Sequence, residues 1–350
     1  MIKHAFKILI PICAISAVCL LFSWLIFDSF RGSHHSGDSV ILDAETHTQH
    51  ESWEIEEPYS RIELDTGMFT VNLIPSNGNA TEFEMDSNGN GEVETYMDEF
   101  GLHISASSET SFDDFIDRLG DALSSGSGWD DFWSVGTLNV KVPYTSLEGL
   151  TINVGSGKVN VSDIWADDCT FRIGSGEFNF NGTGEECSNM NLYMGSGKCV
   201  VNKIACISYD INIGSGKYEV NGLRGSGNLD MGSGSGVLGF DSVDGASGFD
   251  IGSGSLTVNI PDDADLVIDA DIGAGKVSVN TSDCSTTIRN DKSVTLGSGE
   301  SIFYIELGSG KVNIVGAGSV PDSTVVAMTA VDTQPVEATE IAEVVITNNI

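Results

Sequence analysis

The sequence predicts an all-β protein: a β-solenoid of about nine short coils, preceded by one transmembrane helix. Three observations predict it. A Gly-Ser-Gly tripeptide recurs at steps of 18 to 21 residues, apolar side chains alternate with polar ones on both sides of it, and residues 8–27 carry no charge. Composition narrows the function classes. With 51 acids against 16 bases the 350-residue chain has a formal charge of −35, which argues against nucleic acid as a partner, because phosphate binding needs a basic patch. Docking the body on anionic lipid is excluded for the same reason. An apolar content of 40% with 16 Phe is too high for a disordered chain.

The apolar run from Ile8 to Phe27 is long enough, as a helix, to cross one bilayer core of about 30 Å. Lys3 and Lys7 precede it and Arg31 alone follows closely, so residues 1–7 are expected in the cytoplasm and the bulk outside. The run ends in Trp24, Leu25, Ile26 and Phe27 rather than in small residues, which favours an anchor over a cleaved signal peptide. A single-pass protein of the cell membrane follows. Setting aside Lys3, Lys7, Arg31 and Asp28 leaves 13 bases against 50 acids in the outside part. Residues 28–60 are expected as a linker.

The tripeptide starts at Gly155, Gly174, Gly195, Gly214, Gly232 and Gly252, continues as Gly-Ala-Gly at Gly273, and returns at Gly297 and Gly308. Ile152 and Val154 precede the first and Val159 and Val161 follow it; Phe171, Ile173, Phe178 and Phe180 flank the second in the same way. Alternation of period two marks half-buried strands. Each tripeptide is therefore expected to be a tight corner whose glycines take backbone angles that a side chain forbids. The corner pairs include Gly155 and Gly157, Gly174 and Gly176, Gly195 and Gly197, Gly214 and Gly216, Gly252 and Gly254, and Gly308 and Gly310.

Asn181, Asn202, Asn221, Asn259 and Asn280 stand seven residues after a first glycine, where a second corner is expected. Ile164, Ile204 and Leu223 then suggest a third inward stretch. One such unit cannot bury its apolar side chains alone, but stacked units can, and nine would make a rod on the order of 45 Å long. An antiparallel sandwich explains the strands but not a corner recurring in register.

Residues 61–150 are expected to hold the cap and first coils, residues 151–316 the regular solenoid, and residues 317–350 a tail or closing cap. Leu64 to Val71 looks like a degenerate first coil. Phe112, Phe115, Ile116, Leu119 and Leu123 lie at helical spacing behind a Ser111 N-cap, so a short helical insertion is expected in the cap. Trp129, Phe132 and Trp133 follow a flexible link and are expected to be buried there.

The stretch LNVKVPYTSLEGLTINVGSGKVNV, from Leu138 to Val161, and the repeats after it resemble the putative-adhesin β-strand-repeat family of bacterial surface proteins. That family is a domain of unknown function predicted as a β-solenoid. Its members show a strand ending in Val-Pro, a short loop, a Leu-containing strand and repeated Ser-Gly corners. The resemblance covers most of Ile62 to Val315 and implies a fold and a surface location rather than an activity. It departs where the family often has aspartate after the corner, for Lys158, Lys198, Lys217, Lys276 and Lys311 stand there.

Histidine occurs only at positions 4, 34, 35, 47, 50 and 103, which excludes a Ser-His-Asp, Cys-His or histidine-metal arrangement within the repeats. Gly155-Ser156-Gly157-Lys158 lacks the earlier glycine, the following Ser or Thr and the helix that a phosphate-binding loop needs. Asp86, Asn88 and Asn90 match the first half of a calcium loop, but Met97 occupies the twelfth position, where a glutamate is required. A hairpin turn at Asn90-Gly91 is the expected alternative. No catalytic residue and no cofactor are expected.

Stacked coils would align the five lysines into a mixed-sign stripe. Charge spacing on an acidic rod explains such a stripe, and a contact line for an anionic wall polymer is the alternative. Cys187 and Cys206 each precede the next corner glycine by eight residues, so they are expected as neighbours on adjacent coils, either as a disulfide or as stacked thiols.

The function expected is an adhesion or envelope-interaction module, anchored in the membrane and not an enzyme, with an unidentified envelope or cell-surface ligand. A sensor or regulator of envelope stress that binds cationic peptides is the alternative, for which the outside charge would be the attractant. A carbohydrate-cleaving β-helix is the third.

Overall fold

In the computed structural model the described residues are 42–48, 50–87, 91–108, 135–143, 145–290 and 292–317. The anchor at 8–27, the helical insertion with Trp129, Phe132 and Trp133, and residues 318–350 lie outside them. All the described elements are strands, and they form two sheets of 13 strands each. Each coil is a strand of sheet A, a corner, and a strand of sheet B. The body is thus a two-sided slab whose sheets share one core. The two-sheet layering of a sandwich and the parallel stacking of a solenoid occur together.

Nine coils stack in a spatial order that departs from chain order. Coil 1 is Arg61–Thr66 with Thr70–Pro75, the degenerate coil expected at Leu64 to Val71. Coils 2 to 4 are Ser146–Val154 with Lys158–Ser162, Trp165–Ile173 with Glu177–Asn181, and Glu186–Met194 with Lys198–Asn202. Coils 5 to 7 are Ala205–Ile213 with Lys217–Leu223, Ser226–Met231 with Ser235–Phe240, and Ala246–Ile251 with Ser255–Ile260. Coil 8 is Ser301–Leu307 with Lys311–Gly316, and coil 9 is Leu266–Ile272 with Lys276–Asn280. The last described strands are therefore inserted between two coils that precede them in the chain.

Both ends are closed by reversed strands, which removes the open parallel edge that would invite another chain. Beyond coil 9, Lys292–Leu296 and Ser285–Ile288 pair antiparallel with its two strands. At the other end Gly101–Ser108 and Gly136–Val142 lie parallel beside coil 1. Outside them come Gly91–Asp98 and Thr81–Ser87, and last Leu42–Thr48 and Glu51–Ile55, all antiparallel. The stretch expected as a linker to residue 60 thus supplies two cap strands.

Thr81–Ser87 joins sheet B and Gly91–Asp98 joins sheet A, so these two strands do not pair as the expected hairpin. The inward rows Phe83, Met85 and Val93 decide this, since each must face the shared core.

The alternation read from the sequence is the burial pattern found. Val159, Val161, Phe178, Val201 and Val220 are at most 1% exposed, while Lys158, Asn160 and Ser162 face solvent. Each fully buried Val, Leu, Ile or Phe contributes about 1.5–3 kcal/mol. Ile164, Ile204 and Leu223 are buried on the return path, as expected.

Two expectations about backbone conformation are corrected. The corner glycines do not take positive φ; that conformation occurs at Gly101, Gly184, Gly222, Gly245, Gly297 and Gly299. The corner is instead a continuation of the ladder: Gly214 N donates to Met194 O at 2.8 Å, Ser215 N to Gly195 O at 2.8 Å and Lys217 N to Gly197 O at 3.0 Å. Such close stacking is what requires glycine. A Cβ on Gly216 would lie 2.6 Å from Gly197 O and 2.6 Å from the Met194 methyl. At the second corner the left-handed residues are Asp163 and Lys203, one step after Ser162 and Asn202, because the asparagine itself still belongs to the strand.

Gly297-Ser298-Gly299 is not a corner. Both of its glycines have positive φ, 63° and 80°, and the loop wraps the Asp265 carboxylate. Ser298 Oγ donates to it at 2.5 Å and Glu300 N at 3.0 Å, and Gly299 N also donates. These bonds, that of Ser298 first, hold the Asp265 carboxyl below its ordinary value.

A charged cluster in the cap centres on His103. His103 Nδ1 lies 3.2 Å from Glu63 Oε2 and its Nε2 lies 3.0 Å from Asp98 Oδ1, with the ring stacked on Tyr96 at 4.6 Å. Burial pulls the imidazole pKa down, but the bonds to Glu63 and Asp98 outweigh it and hold it above the ordinary value of 6.5. Burial first, then the carboxylates, pushes Tyr96 up to about 12. A raised folded-state pKa stabilises fully below the unfolded value and is lost as pH rises through the folded one. Raising the pH from about 6 to about 9 should therefore lower the denaturant midpoint, and His103→Gln should flatten that dependence. An unchanged pH profile in the variant would show that His103 is not its source.

Candidate functional site

The strand register aligns outward residues of successive coils into rows. In sheet B the first row after the corner reads Thr70, Lys158, Glu177, Lys198, Lys217, Ser235, Ser255, Lys311, Lys276. All five lysines singled out in the sequence stand in it. Charge spacing accounts for two of them: Lys158 and Lys198 flank Glu177 at 3.7 and 3.2 Å. Burial works to raise the Glu177 carboxyl, but Lys158, Asn179 and Lys198 outweigh it and hold it below its ordinary value. Lys217 stands beside Lys198, and Lys311 beside Lys276, like charge next to like. Among the described residues none of Lys217, Lys276 and Lys311 makes an ion pair.

The next row of sheet B holds a feature not foreseen from the sequence. Asn72 donates to Asn139 at 2.8 Å, Asn160 to Asn72 at 2.9 Å and Asn179 to Asn160 at 3.0 Å, an amide ladder along the stack. Asn221 donates to Asn202 at 2.9 Å in the third row. The signal is visible in retrospect: asparagine sits between two apolar residues in TVNL, TLNV, KVNV and EFNF. Across coils 2 to 9, the 24 outward positions of sheet B carry five Lys, two Glu and eight Asn.

Sheet A differs. One outward row reads Asn153, Arg172, Tyr193, Asn212, Asp230, Asp250, Glu306, Asp271, and the next contains Asp210 and Asp269. Over the same coils these two rows carry six carboxylates and one base, Arg172, which reaches over the Tyr193 ring at 5.7 Å. Asp230, Asp250, Glu306 and Asp271 are adjacent in the row. The slab is charge-segregated, cationic and amide-rich on one face and anionic on the other.

The other candidates are placed as follows. Asp86 lies at the end of its strand, with His50 Nδ1 3.2 Å away, while Asn88 and Asn90 lie outside the described residues. Among the described residues no group of three His, Cys, Asp or Glu side chains could hold a metal ion. Cys187 and Cys206 are register partners, as expected, but both are free thiols, so the disulfide alternative is not what the structure contains. Cys169 joins them. Its thiol donates to Ala166 O at 3.7 Å, and that of Cys206 donates to Ser208 O at 2.8 Å. These three side chains are at most 1% exposed, which suits packing rather than reactivity.

A cleft of about 230 Å³ at the coil 9 end is lined by Asp262, Asp263, Thr281 and Asp283, among others. Its lining includes Gly297, which the sequence marks as the start of a corner.

Residues 59–315 match the family model Toastrack DUF4097. The chain belongs to that family. This toastrack is similar in fold to several crystal structures. A putative lipid binding protein from Parabacteroides distasonis is 16% identical with a TM-score of 0.45, covering 76% of this chain and 96% of that one. A putative adhesin from Parabacteroides merdae is 11% identical with a TM-score of 0.43, over 76% and 96%. A putative adhesin from Bacteroides fragilis is 12% identical with a TM-score of 0.36, over 76% and 97%. No curated protein matches the toastrack chain.

Proposed function

We propose that this toastrack is a non-enzymatic adhesion or envelope-interaction module, held outside the cell membrane by residues 8–27 and engaging its ligand through a flat outer face of the slab. The segregation of charge between the faces carries this reading. Five lysines against two glutamates in the outward rows of sheet B stand opposite six carboxylates against one arginine in two outward rows of sheet A. Parallel strands repeat every 4.8 Å or so, and a repeating surface suits a repeating partner. The carboxylate row Asp230, Asp250, Glu306 and Asp271 favours a second reading, a sensor ectodomain that takes cationic peptides on sheet A.

The test presents detergent-solubilised full chain to envelope fragments and, separately, to immobilised polylysine. Retention on the fragments that free polylysine does not displace supports the module. Retention on polylysine alone transfers the function to the sensor reading, and retention on neither overturns both.

A further inference from the structure

Within that module reading, we propose that the outer face of sheet B is the binding site and that its ligand is a linear anionic glycan. Two kinds of group on this face each match one part of such a polymer. The lysine row supplies ammonium groups that, among the described residues, have no carboxylate partner at Lys217, Lys276 and Lys311. They suit uronate or phosphate groups along a chain.

The asparagine rows supply hydrogen bonds for hydroxyls. Asn160 donates one N–H to Asn72 and accepts one from Asn179. An amide has two N–H groups and two lone pairs, so at Asn160 the ladder fixes the side chain while one of each remains to face outward. Asn179 and Asn221 also donate to Glu177 at 3.3 Å and Glu219 at 2.8 Å, and keep a lone pair for a ligand hydroxyl. A row of pre-oriented amides costs little further entropy on binding. The face is also long, since the eight strands lie side by side in one sheet without interruption.

A chain charged to −35 would be expected to repel any polyanion. The geometry answers this. The carboxylate rows lie on the far side of two sheets that pack about 10 Å apart, with side chains adding to the separation. Screening at about 0.1 M salt acts over about 10 Å, so the far face is largely hidden from a ligand on sheet B. In about 0.01 M salt the screening length is about 30 Å and the whole negative body is felt; in about 1 M it is about 3 Å and the lysine contacts themselves fade. Binding should therefore pass through a maximum at intermediate ionic strength, which neither a simple cationic site nor a neutral lectin shows.

The experiment measures retention of the full chain on immobilised polygalacturonate, with dextran as the neutral glycan and polyphosphate as the anion without hydroxyls. Three variants are compared with the parent: Lys158, Lys198 and Lys217 all changed to Gln; Lys276 and Lys311 changed to Gln; and Asp230, Asp250 and Asp271 changed to Asn on sheet A. Exposed pairs contribute little to stability, so all three should keep the parent's denaturation midpoint.

Retention on polygalacturonate should exceed that on both controls and peak near about 0.1 M salt. It should fall at least about tenfold in each lysine variant and hold or rise in the sheet A variant. Equal retention of the lysine variants would overturn the site while leaving the module reading intact. Polyphosphate bound as well as polygalacturonate would overturn the glycan assignment, and no retention on either anion would overturn the ligand class.

Discussion

Gly216→Val should destabilise the solenoid at least as much as any surface substitution in the chain, and Gly216→Ala should do so too. On entropy alone, replacing a glycine by alanine where φ is ordinary stabilises a protein by about 0.4–1 kcal/mol. Here the sign reverses, because the new Cβ would lie 2.6 Å from Gly197 O of the neighbouring coil, a backbone atom that cannot move without breaking its own ladder. Overpacking of this kind costs about 1–3 kcal/mol, with valine at the upper end or beyond.

Ser215, exposed between the two glycines, should accept valine at little cost. Denaturant midpoints of the three variants provide the check. Asparagine adds the discriminating case, for it tolerates left-handed φ and would rescue a conformational requirement, whereas close stacking predicts that Gly216→Asn is as damaging as alanine. Rescue by asparagine would overturn the stacking account.

Phe171→Ala should cost about 3–5 kcal/mol. Phe171 is fully buried in coil 3, with Phe178 at 4.7 Å and Phe180 at 5.3 Å between ring centroids. Removing it empties the narrow space between the two sheets at one level, and the strands on both sides are held by ladders that limit collapse. Stability in stacked repeats resides in each unit and its two interfaces. The loss should therefore appear as a lower midpoint, together with faster amide exchange in coils 2 to 4. A loss under about 1 kcal/mol would mean that the site refills, contrary to the rigid spacing described.

The coils themselves were legible because two local patterns coincide in them, alternation of period two and a glycine pair every 18 to 21 residues. What the patterns do not encode is which coil is whose neighbour. From Gly273 to Gly308 the step is 35 residues, and the excess holds the closing strands Ser285–Ile288 and Lys292–Leu296. The flanks of Gly273 and Gly308 look alike, so the sequence does not show that the later coil lies inside the earlier one.

The misassigned Gly297-Ser298-Gly299 has the same cause: an identical tripeptide with Asp265, distant in sequence, as its partner. The lysine row was legible as an alignment, since it follows from the register of the corners. Its unbalanced charge and the amide ladder were not, because both depend on which side chains meet across coils.

The inserted position of coil 8 bears on how the chain acquires its structure. Synthesis proceeds from the amino terminus, so coil 9 is made while the strands that will separate it from coil 7 do not yet exist. Coil 7 then offers coil 9 the same surface that coil 8 will later offer, since Ala246–Ile251 and Leu266–Ile272 pair with opposite sides of the same strand, Ser301–Leu307. Docking of coil 9 on coil 7 would satisfy the alternation, the corner and the ladder alike. The same period that makes the architecture easy to build thus makes this wrong neighbour competitive until the segment from 301 to 316 is made and takes its place between them.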